Sequence, residues 1–176
     1  MKLIGLAGRA RSGKSSIADY LVNDYGFQHL AFADPIRDTI EHVFDTPHQY
    51  SNVLKESGIP PHGKSYRELA QTLGDWGRGL RPDFWVIELE RRLDLIKRGL
   101  GDDLCVVVSD VRYINEAFWV RQRGQLWHVT RPGQDPSQTR AHSSEAGIVP
   151  LGGEALIQNT GTLEDLRAHV DRLLTP

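Results

Sequence analysis

The chain has 176 residues, of which 39% are hydrophobic; this is enough for one core and too short for two ordinary domains with a linker. Its formal net charge of −2 provides no global positive field that would draw it to nucleic acid or to a membrane surface. The single cysteine, Cys105, excludes an internal disulfide and a multi-cysteine metal site, and its apolar neighbours indicate a core thiol. We therefore expect a single cytoplasmic domain over residues 1–176, since no apolar run approaches the length of a signal peptide or a membrane span.

Short apolar runs alternate along the chain with segments whose apolar residues recur at helical spacing. The first run, "KLIGLA", ends at Gly8, and Ile17, Leu21 and Val22 then share one helix face until Gly26. Strands that alternate with helices predict an α/β fold with a parallel sheet covered on both faces. The predicted strands are residues 2–7, 27–33, 103–110, 125–130 and 154–159, and the predicted helices are residues 15–26, 34–44, 65–77, 82–98 and 111–124 and a last one capped by Thr162.

Several of these boundaries carry residues typical of helix starts. Asp34 followed by Pro35 matches an N-cap with proline in the first turn, and "SYRE", residues 65–68, matches a capping box. The run "DLCVVVSD" is continuous, β-branched and bounded by turn residues, which predicts a central parallel strand.

Two segments show neither the hydrophobic period of a helix nor that of a strand. Residues 45–64 contain prolines, glycines and polar residues, which predicts a loop or irregular excursion. Residues 131–150 are rich in proline, serine and glycine, and we expect them to form a mobile lid.

The segment between the first strand and the first helix fits the phosphate-binding pattern G-x-x-x-x-G-K-[ST] at Gly8, Gly13, Lys14 and Ser15. Glycines let the backbone wrap around phosphates, and the following helix offers free amides and its positive dipole end. Lys14 would reach the β and γ phosphates of ATP, and the Ser15 hydroxyl would bind Mg²⁺. A chance glycine-rich turn is the alternative, which the flanking strand and helix disfavour. The other residues assigned to ATP binding are Arg11, Ser12 and Ser16.

A magnesium ion at this loop needs an acidic partner. Asp110 stands where a buried apolar strand ends, which is where ligands collect in open parallel sheets. We expect it to be the second metal anchor, the alternative being an N-cap for the next helix. Arg112, two residues later, should point into the same crevice and bind the phosphate of an acceptor.

The distribution of arginines bears on whether the phosphoryl acceptor is water or a second anionic substrate. Arginine greatly outnumbers lysine, and its planar guanidinium suits phosphate, although solvated helix faces also accumulate arginine. Asp34 and Arg37 follow the second predicted strand, at the same sheet edge as the phosphate loop. Arg131 and the lid residues Arg140 and His142 would approach the transferring group when the lid closes, whereas His142 alone is typical of an exposed loop.

One helix within the predicted acceptor region, residues 34–100, carries polar residues at spacings of three and four. A solvated surface is the alternative to an acceptor-binding face there. Aromatic residues near its end and at the start of the next predicted helix are candidates for stacking on an acceptor base, although such residues more often pack in the core. The polar residues are Arg67, Gln71, Asp75 and Arg78, and the aromatic ones are Trp76, Phe84 and Trp85.

Seven segments follow one another in an order more specific than the phosphate loop alone. They are "GRARSGKSSIADYL", "FADPIRD", "RELAQTLGDWGR", "VVVSDVRYINEA", "RPG", "HSSE" and "IQNTGTLEDL". In this combination the chain resembles the phage deoxynucleoside monophosphate kinases of the P-loop kinase superfamily, over almost its whole length. In residues 45–64 we can place no segment of that family.

The resemblance implies a three-layer P-loop kinase fold and transfer of the ATP γ-phosphoryl group to a deoxynucleoside monophosphate. It implies donor roles for Gly13, Lys14 and Ser15, and Lys14, Asp110, Arg112 and Arg131 are the expected catalytic residues. It implies acceptor-side or metal-side roles for Asp34, Arg67, Gln71, Arg78, Asp110, Arg112 and Glu116, and the "HSSE" segment adds Glu145 as a substrate-binding residue.

Two other functions remain open from the sequence. A kinase of another small phosphorylated acceptor, such as a phosphomevalonate kinase, has a related "SD-x-R" segment. A nucleotide-binding accessory ATPase would use the phosphate loop as a switch. We expect small-molecule nucleotides as partners, and both a monomer and a homodimer are compatible with the sequence.

Overall fold

The computed structural model describes residues 1–46, 57–59, 63–101, 103–133 and 148–175. Within these residues, strands and helices alternate as the sequence predicts. The strands are β1 (Lys2–Ala7), β2 (Gln28–Leu30), β3 (Cys105–Val111), β4 (Gln125–Thr130) and β5 (Ala155–Gln158). The helices are α1 (Lys14–Tyr25), α2 (Asp34–Phe44), α3 (Tyr66–Leu80), α4 (Phe84–Leu100), α5 (Ile114–Arg121) and α6 (Leu163–Leu174).

The five strands form one parallel sheet in the order β2-β3-β1-β4-β5. β3, the strand predicted to be central, is an interior strand between β2 and β1, while β1 occupies the middle position. Because all strands are parallel, their carboxyl ends meet at one edge, which is where β1 leads into the predicted phosphate loop. The parallel sheet predicted from the sequence is therefore confirmed, while the assignment of a site to this edge stays a prediction.

The described residues cluster into two compact units, one formed by residues 1–31 and 95–176 and the other by residues 32–94. The core of the first unit joins strand residues such as Ile4 and Trp127 to Leu21 of α1 and Val170 of α6. The core of the second unit is made by Ile36, Ile40, Ile59, Tyr66 and Trp85. A single domain over the whole chain stays a prediction.

The structure confirms the helix caps predicted at Ser65 and Thr162, whereas the predicted N-cap of the second helix is one residue off. Ser65 and Glu68 cap each other at the start of α3, and Thr162 accepts from the Asp165 amide at the start of α6. At α2 the N-cap is Ala33, so Asp34 lies in the first turn instead of preceding it. None of the described helices is both long and apolar enough to cross a membrane.

Candidate active site

The predicted phosphate loop joins β1 to α1, as its motif requires. Gly8 has φ +144° and Gly13 has φ +111°, conformations that side chains rarely adopt. A Cβ atom on Gly8 would lie 2.2 Å from the carbonyl oxygen of Val129, so no larger residue fits there. The backbone therefore favours glycine at both positions, while the choice between a phosphate loop and a chance glycine-rich turn stays a prediction.

The loop ends at a helix start suited to anions. Gly13 is the N-cap of α1, none of the described side chains caps this helix, and its first turn contains no acidic residue. The first backbone amides of a helix have no partner within it, and the helix dipole is positive at this end. An anion bound here would be stabilised by both. Ser15 is exposed and Ser16 half-buried in this first turn.

The Lys14 ammonium group lies across the loop. Its Nζ atom donates to the carbonyl oxygens of Gly8 and Arg9, at 2.7 Å each. At the loop tip, Arg11 is exposed and adopts a left-handed backbone conformation with φ 62°. Two cationic side chains thus accompany the loop, one folded over its carbonyls and one at its tip.

Asn159 is a loop contact that the sequence analysis did not identify. Its Nδ2 atom donates to the carbonyl oxygen of Ser12 at 2.9 Å, across 147 positions of the chain. Ser12 is fully buried, and its Oγ atom has no hydrogen-bond partner among the described residues. The only sequence signal was the segment "IQNTGTLEDL", which carried the family resemblance without suggesting a contact.

The second predicted cluster lies around the end of β3. Asp110 is buried in β3, and Arg112 follows the strand with its side chain exposed. The N-cap of α5 is Tyr113, so Asp110 does not serve as the N-cap that was its alternative role. Glu116 is only 5% exposed, and its Oε2 atom accepts from the backbone amides of Arg112 (2.7 Å) and Tyr113 (3.0 Å).

The electrostatics of this cluster are unusual. Burial, and to a smaller extent the negative charge of Asp110, raises the pKa of Glu116 to about 8. The hydrogen bonds from the Arg112 and Tyr113 amides and the positive charge of Arg112 oppose this shift without cancelling it. Strongly shifted carboxyl groups in such positions are typical of functional sites.

The donor set assigned to Mg²⁺ from the sequence consists of two side chains, those of Ser15 and Asp110. The described residues contain no group of three or more His, Cys, Asp or Glu side chains able to hold a metal. Mg²⁺ at phosphate sites typically takes one or two protein ligands and fills its other positions with water and phosphate oxygens. The Ser15 hydroxyl and the Asp110 carboxylate are hard oxygen donors of this kind.

In the second unit, the predicted acceptor residues form local ion pairs. Arg37 pairs with Asp34 and Arg78 with Asp75, both at 2.8 Å. Arg67 and Gln71 are half-buried on the same helix, α3, as Arg78. The face predicted from their spacing therefore exists; its contact with an acceptor stays a prediction.

The aromatic residues of the second unit divide between core and surface. Trp85 is 7% exposed, and its Nε1 atom donates to the Gly74 carbonyl oxygen at 2.9 Å. A Cβ atom on Gly77 would lie 2.6 Å from the Trp85 ring, so the indole packs directly on α3. This supports core packing for Trp85, whereas Trp76 is 57% exposed.

The predicted lid is described only at its ends. Arg131 directly follows β4 and is exposed. Arg140, His142 and Glu145 lie outside the described residues, so their assignments stay predictions.

Comparison with known proteins tests the fold and the family. A protein-family model described as deoxynucleotide monophosphate kinase matches residues 60–170. A putative deoxynucleotide monophosphate kinase of Acanthamoeba polyphaga mimivirus is 28% identical over 184 residues, which cover 97% of this chain and 94% of that protein. The deoxynucleotide monophosphate kinase of Enterobacteria phage T4 is 23% identical, with 99% of each chain covered.

Solved structures with the same fold include TT1252 from Thermus thermophilus, with 20% identity and a TM-score of 0.52 over 98% of this chain and 96% of that one. The dephospho-CoA kinase from Campylobacter jejuni has 15% identity and a TM-score of 0.51, covering 99% of this chain and 96% of that one. These likenesses confirm the predicted P-loop kinase fold. Because the family model matches more than half of the residues of this chain, the chain belongs to the deoxynucleotide monophosphate kinase family.

Proposed function

We propose that this chain transfers the γ-phosphoryl group of ATP to a deoxynucleoside monophosphate, giving the diphosphate and ADP. Family membership supports the reaction class. The observation that carries the proposal is the loop between β1 and α1, which only glycine can form at Gly8 and which opens onto an uncapped helix start beside Lys14. Such a loop is built to hold the phosphates of a nucleotide.

On the donor side, we assign Lys14 to the β and γ phosphates. Its ammonium group now donates to the Gly8 and Arg9 carbonyls, which holds it over the loop. Phosphoryl transfer passes through a loose transition state, so positioned cations contribute more than a strong base. Ser15 and Asp110 would hold Mg²⁺, which when bound neutralises charge on the phosphates and orients them.

On the acceptor side, we assign Arg112 to the phosphate of the monophosphate. Its backbone is fixed by the hydrogen bond to Glu116, while its side chain is exposed and able to reach a ligand. Arg131, exposed directly after β4, is proposed to approach the transferring group. On the second unit, Asp34, Arg37, Arg67, Gln71, Asp75 and Arg78 are proposed to bind the rest of the acceptor.

The decisive experiment is a coupled assay of ADP release with ATP and Mg²⁺ across a panel of monophosphates. We expect turnover with at least one deoxynucleoside monophosphate and lower kcat/KM with the matching ribonucleotide, for example dGMP against GMP. A pocket that leaves a 2′-hydroxyl unpaired gives a discrimination of about fivefold to a hundredfold. Equal kcat/KM within every pair would reject the deoxy preference alone.

The Lys14→Met variant provides the matched control for the donor site. Because the Lys14 ammonium group donates to loop carbonyls, the variant should keep its circular dichroism spectrum and lose most turnover. Turnover within about threefold of the unmodified protein would contradict the donor assignment, since loss of a transition-state cation typically costs several kcal/mol. ADP release that no monophosphate stimulates would point to an accessory ATPase, and stimulation by phosphomevalonate alone to a different acceptor.

The expected cytoplasmic location, the lack of nucleic-acid partners and the choice between monomer and homodimer stay predictions. Size-exclusion chromatography with light scattering would determine the oligomeric state directly.

A further inference from the structure

Asn159 connects the end of the sheet to the phosphate loop. Its side-chain Nδ2 atom donates to the Ser12 carbonyl oxygen at 2.9 Å. Its backbone amide donates to the carbonyl oxygen of Thr130, the last residue of β4, at 2.7 Å. One residue thus ties the loop to the strand end that immediately precedes Arg131.

The contact to Ser12 requires the amide group of asparagine. A carbonyl oxygen only accepts hydrogen bonds, so the atom that faces it must be the NH₂ nitrogen. An aspartate of the same shape would present an oxygen, and leucine would present a methyl group. The chemistry of this position is therefore specific to an amide side chain.

The hydrogen bond also fixes the direction of a donor group in the loop. In a trans peptide the carbonyl and the following N–H point in opposite directions because the unit is planar. When Asn159 holds the Ser12 carbonyl on its own side, the Gly13 amide must point to the opposite side. That amide belongs to the set that cradles phosphates in loops of this kind.

Close packing leaves little freedom for this peptide to rotate. A Cβ atom on Gly13 would lie 2.6 Å from Asn159 Nδ2, so the asparagine lies directly against the last loop residue. Ser12 is fully buried. At the other end of the loop, the Val129 carbonyl lies directly against Gly8 in the same way. One end of the loop therefore lies against β4 itself, and the other end lies against the residue that follows β5.

We propose that Asn159 is a positioning residue for the nucleotide donor: it orients the Ser12–Gly13 peptide so that the Gly13 amide faces the phosphates. The inference rests on the proposed function for the identity of the donor. It makes no use of the acceptor residues, so it can be tested by nucleotide binding alone.

The test compares Asn159→Leu, close in shape but without a donor, with Gln158→Ala as the matched control. Gln158 is the neighbouring residue in β5, and its side chain is exposed. We measure the ADP dissociation constant by calorimetry, the KM values of ATP and of the monophosphate, and the melting temperature. Loss of one neutral hydrogen bond should raise the ADP dissociation constant and the ATP KM about two- to twelvefold, with the monophosphate KM unchanged.

A merely structural role would lower the melting temperature and the active fraction while leaving both KM values in place. An ADP dissociation constant within about 1.5-fold of that of the control would overturn the proposal. If the leucine variant does not fold, Asn159→Ala removes the same donor without adding apolar volume, and the same threshold applies. If the Asn159 variant binds ADP more weakly but the unmodified protein phosphorylates no monophosphate, the positioning role stands and the proposed activity is rejected.

Discussion

Arg11 offers a test in which stability and activity should change in opposite directions. Its backbone has φ 62°, in the left-handed region, where a non-glycine residue is destabilised by about 1–2 kcal/mol. The side chain is exposed, so its removal costs little packing. Glycine would relieve this strain. It would also give the unfolded chain more conformational freedom, which lowers the gain in stability by about 0.4–1 kcal/mol.

The Arg11→Gly variant should therefore gain about 0.8 kcal/mol in the free energy of unfolding, from the midpoints of these two ranges. For a chain of this length, that gain corresponds to about 2–3 °C in melting temperature. If the guanidinium group contacts the donor phosphates, kcat/KM for ATP should fall about tenfold or more, since hydrogen bonds to charged groups are worth about 1.5–3 kcal/mol. Thermal unfolding and the coupled ADP assay, run on the same preparation, measure both effects.

Two control variants separate the causes. Arg11→Ala removes the same side chain and keeps the backbone strain, so it should lose activity to the same degree without the gain in melting temperature. Asp45→Gly relieves the positive φ of 48° at the end of α2, so it should gain stability and keep full activity. A melting temperature of Arg11→Gly at or below that of Arg11→Ala would refute the strain argument. Unchanged kcat/KM in both Arg11 variants would refute the ATP-binding assignment.

Three further predictions concern the end of β3 and the start of α3. Asp110→Asn should weaken the dependence of the rate on Mg²⁺ concentration, whereas Arg112→Ala should raise the KM or lower the kcat/KM of the monophosphate; an effect of Arg112→Ala on ATP alone would contradict its acceptor role. Glu116 has its pKa raised in the folded state from 4.5 to about 8, so the folded protein binds the extra proton and loses stability as pH rises through this window. Glutamine does not titrate, so in metal-free buffer the Glu116→Gln variant should gain free energy of unfolding relative to the unmodified protein as the pH rises from about 5 to 8. If the free energies of unfolding of the two proteins change with pH in parallel, Glu116 is not buried as a protonated carboxyl. Ser65→Ala removes the hydroxyl that accepts from the Glu68 amide and keeps the backbone bond from residue 65 to the Glu68 carboxylate, so it should cost about 1 kcal/mol in urea unfolding without changing the ATP KM. No loss of stability would mean that the hydroxyl cap contributes nothing.

Features that depend on neighbouring residues could be predicted from the sequence. The phosphate loop needs only Gly8, Gly13 and the two residues after it, and the capping boxes at Ser65 and Thr162 each involve residues three positions apart. Strand and helix periods act over similar distances, which is why the order of elements was predicted correctly and their ends only approximately. The second predicted strand ends at Leu30 instead of continuing to residue 33.

Features that depend on burial and on distant contacts were decided by the tertiary structure. No local pattern marks Asn159 as a partner of Ser12, because the two residues meet only when β5 is placed in the sheet beside β4, and β4 beside β1. The sequence left Trp85 as a candidate for stacking on the acceptor base or for the core, and its contact with α3 supports the core. The raised pKa of Glu116 likewise needs the folded chain, since desolvation and the field of Asp110 act through space. Short-range hydrogen bonds and hydrophobic periodicity depend on residues close together in the sequence. Burial of side chains and the electrostatic interactions between them depend on which segments the completed sheet brings together.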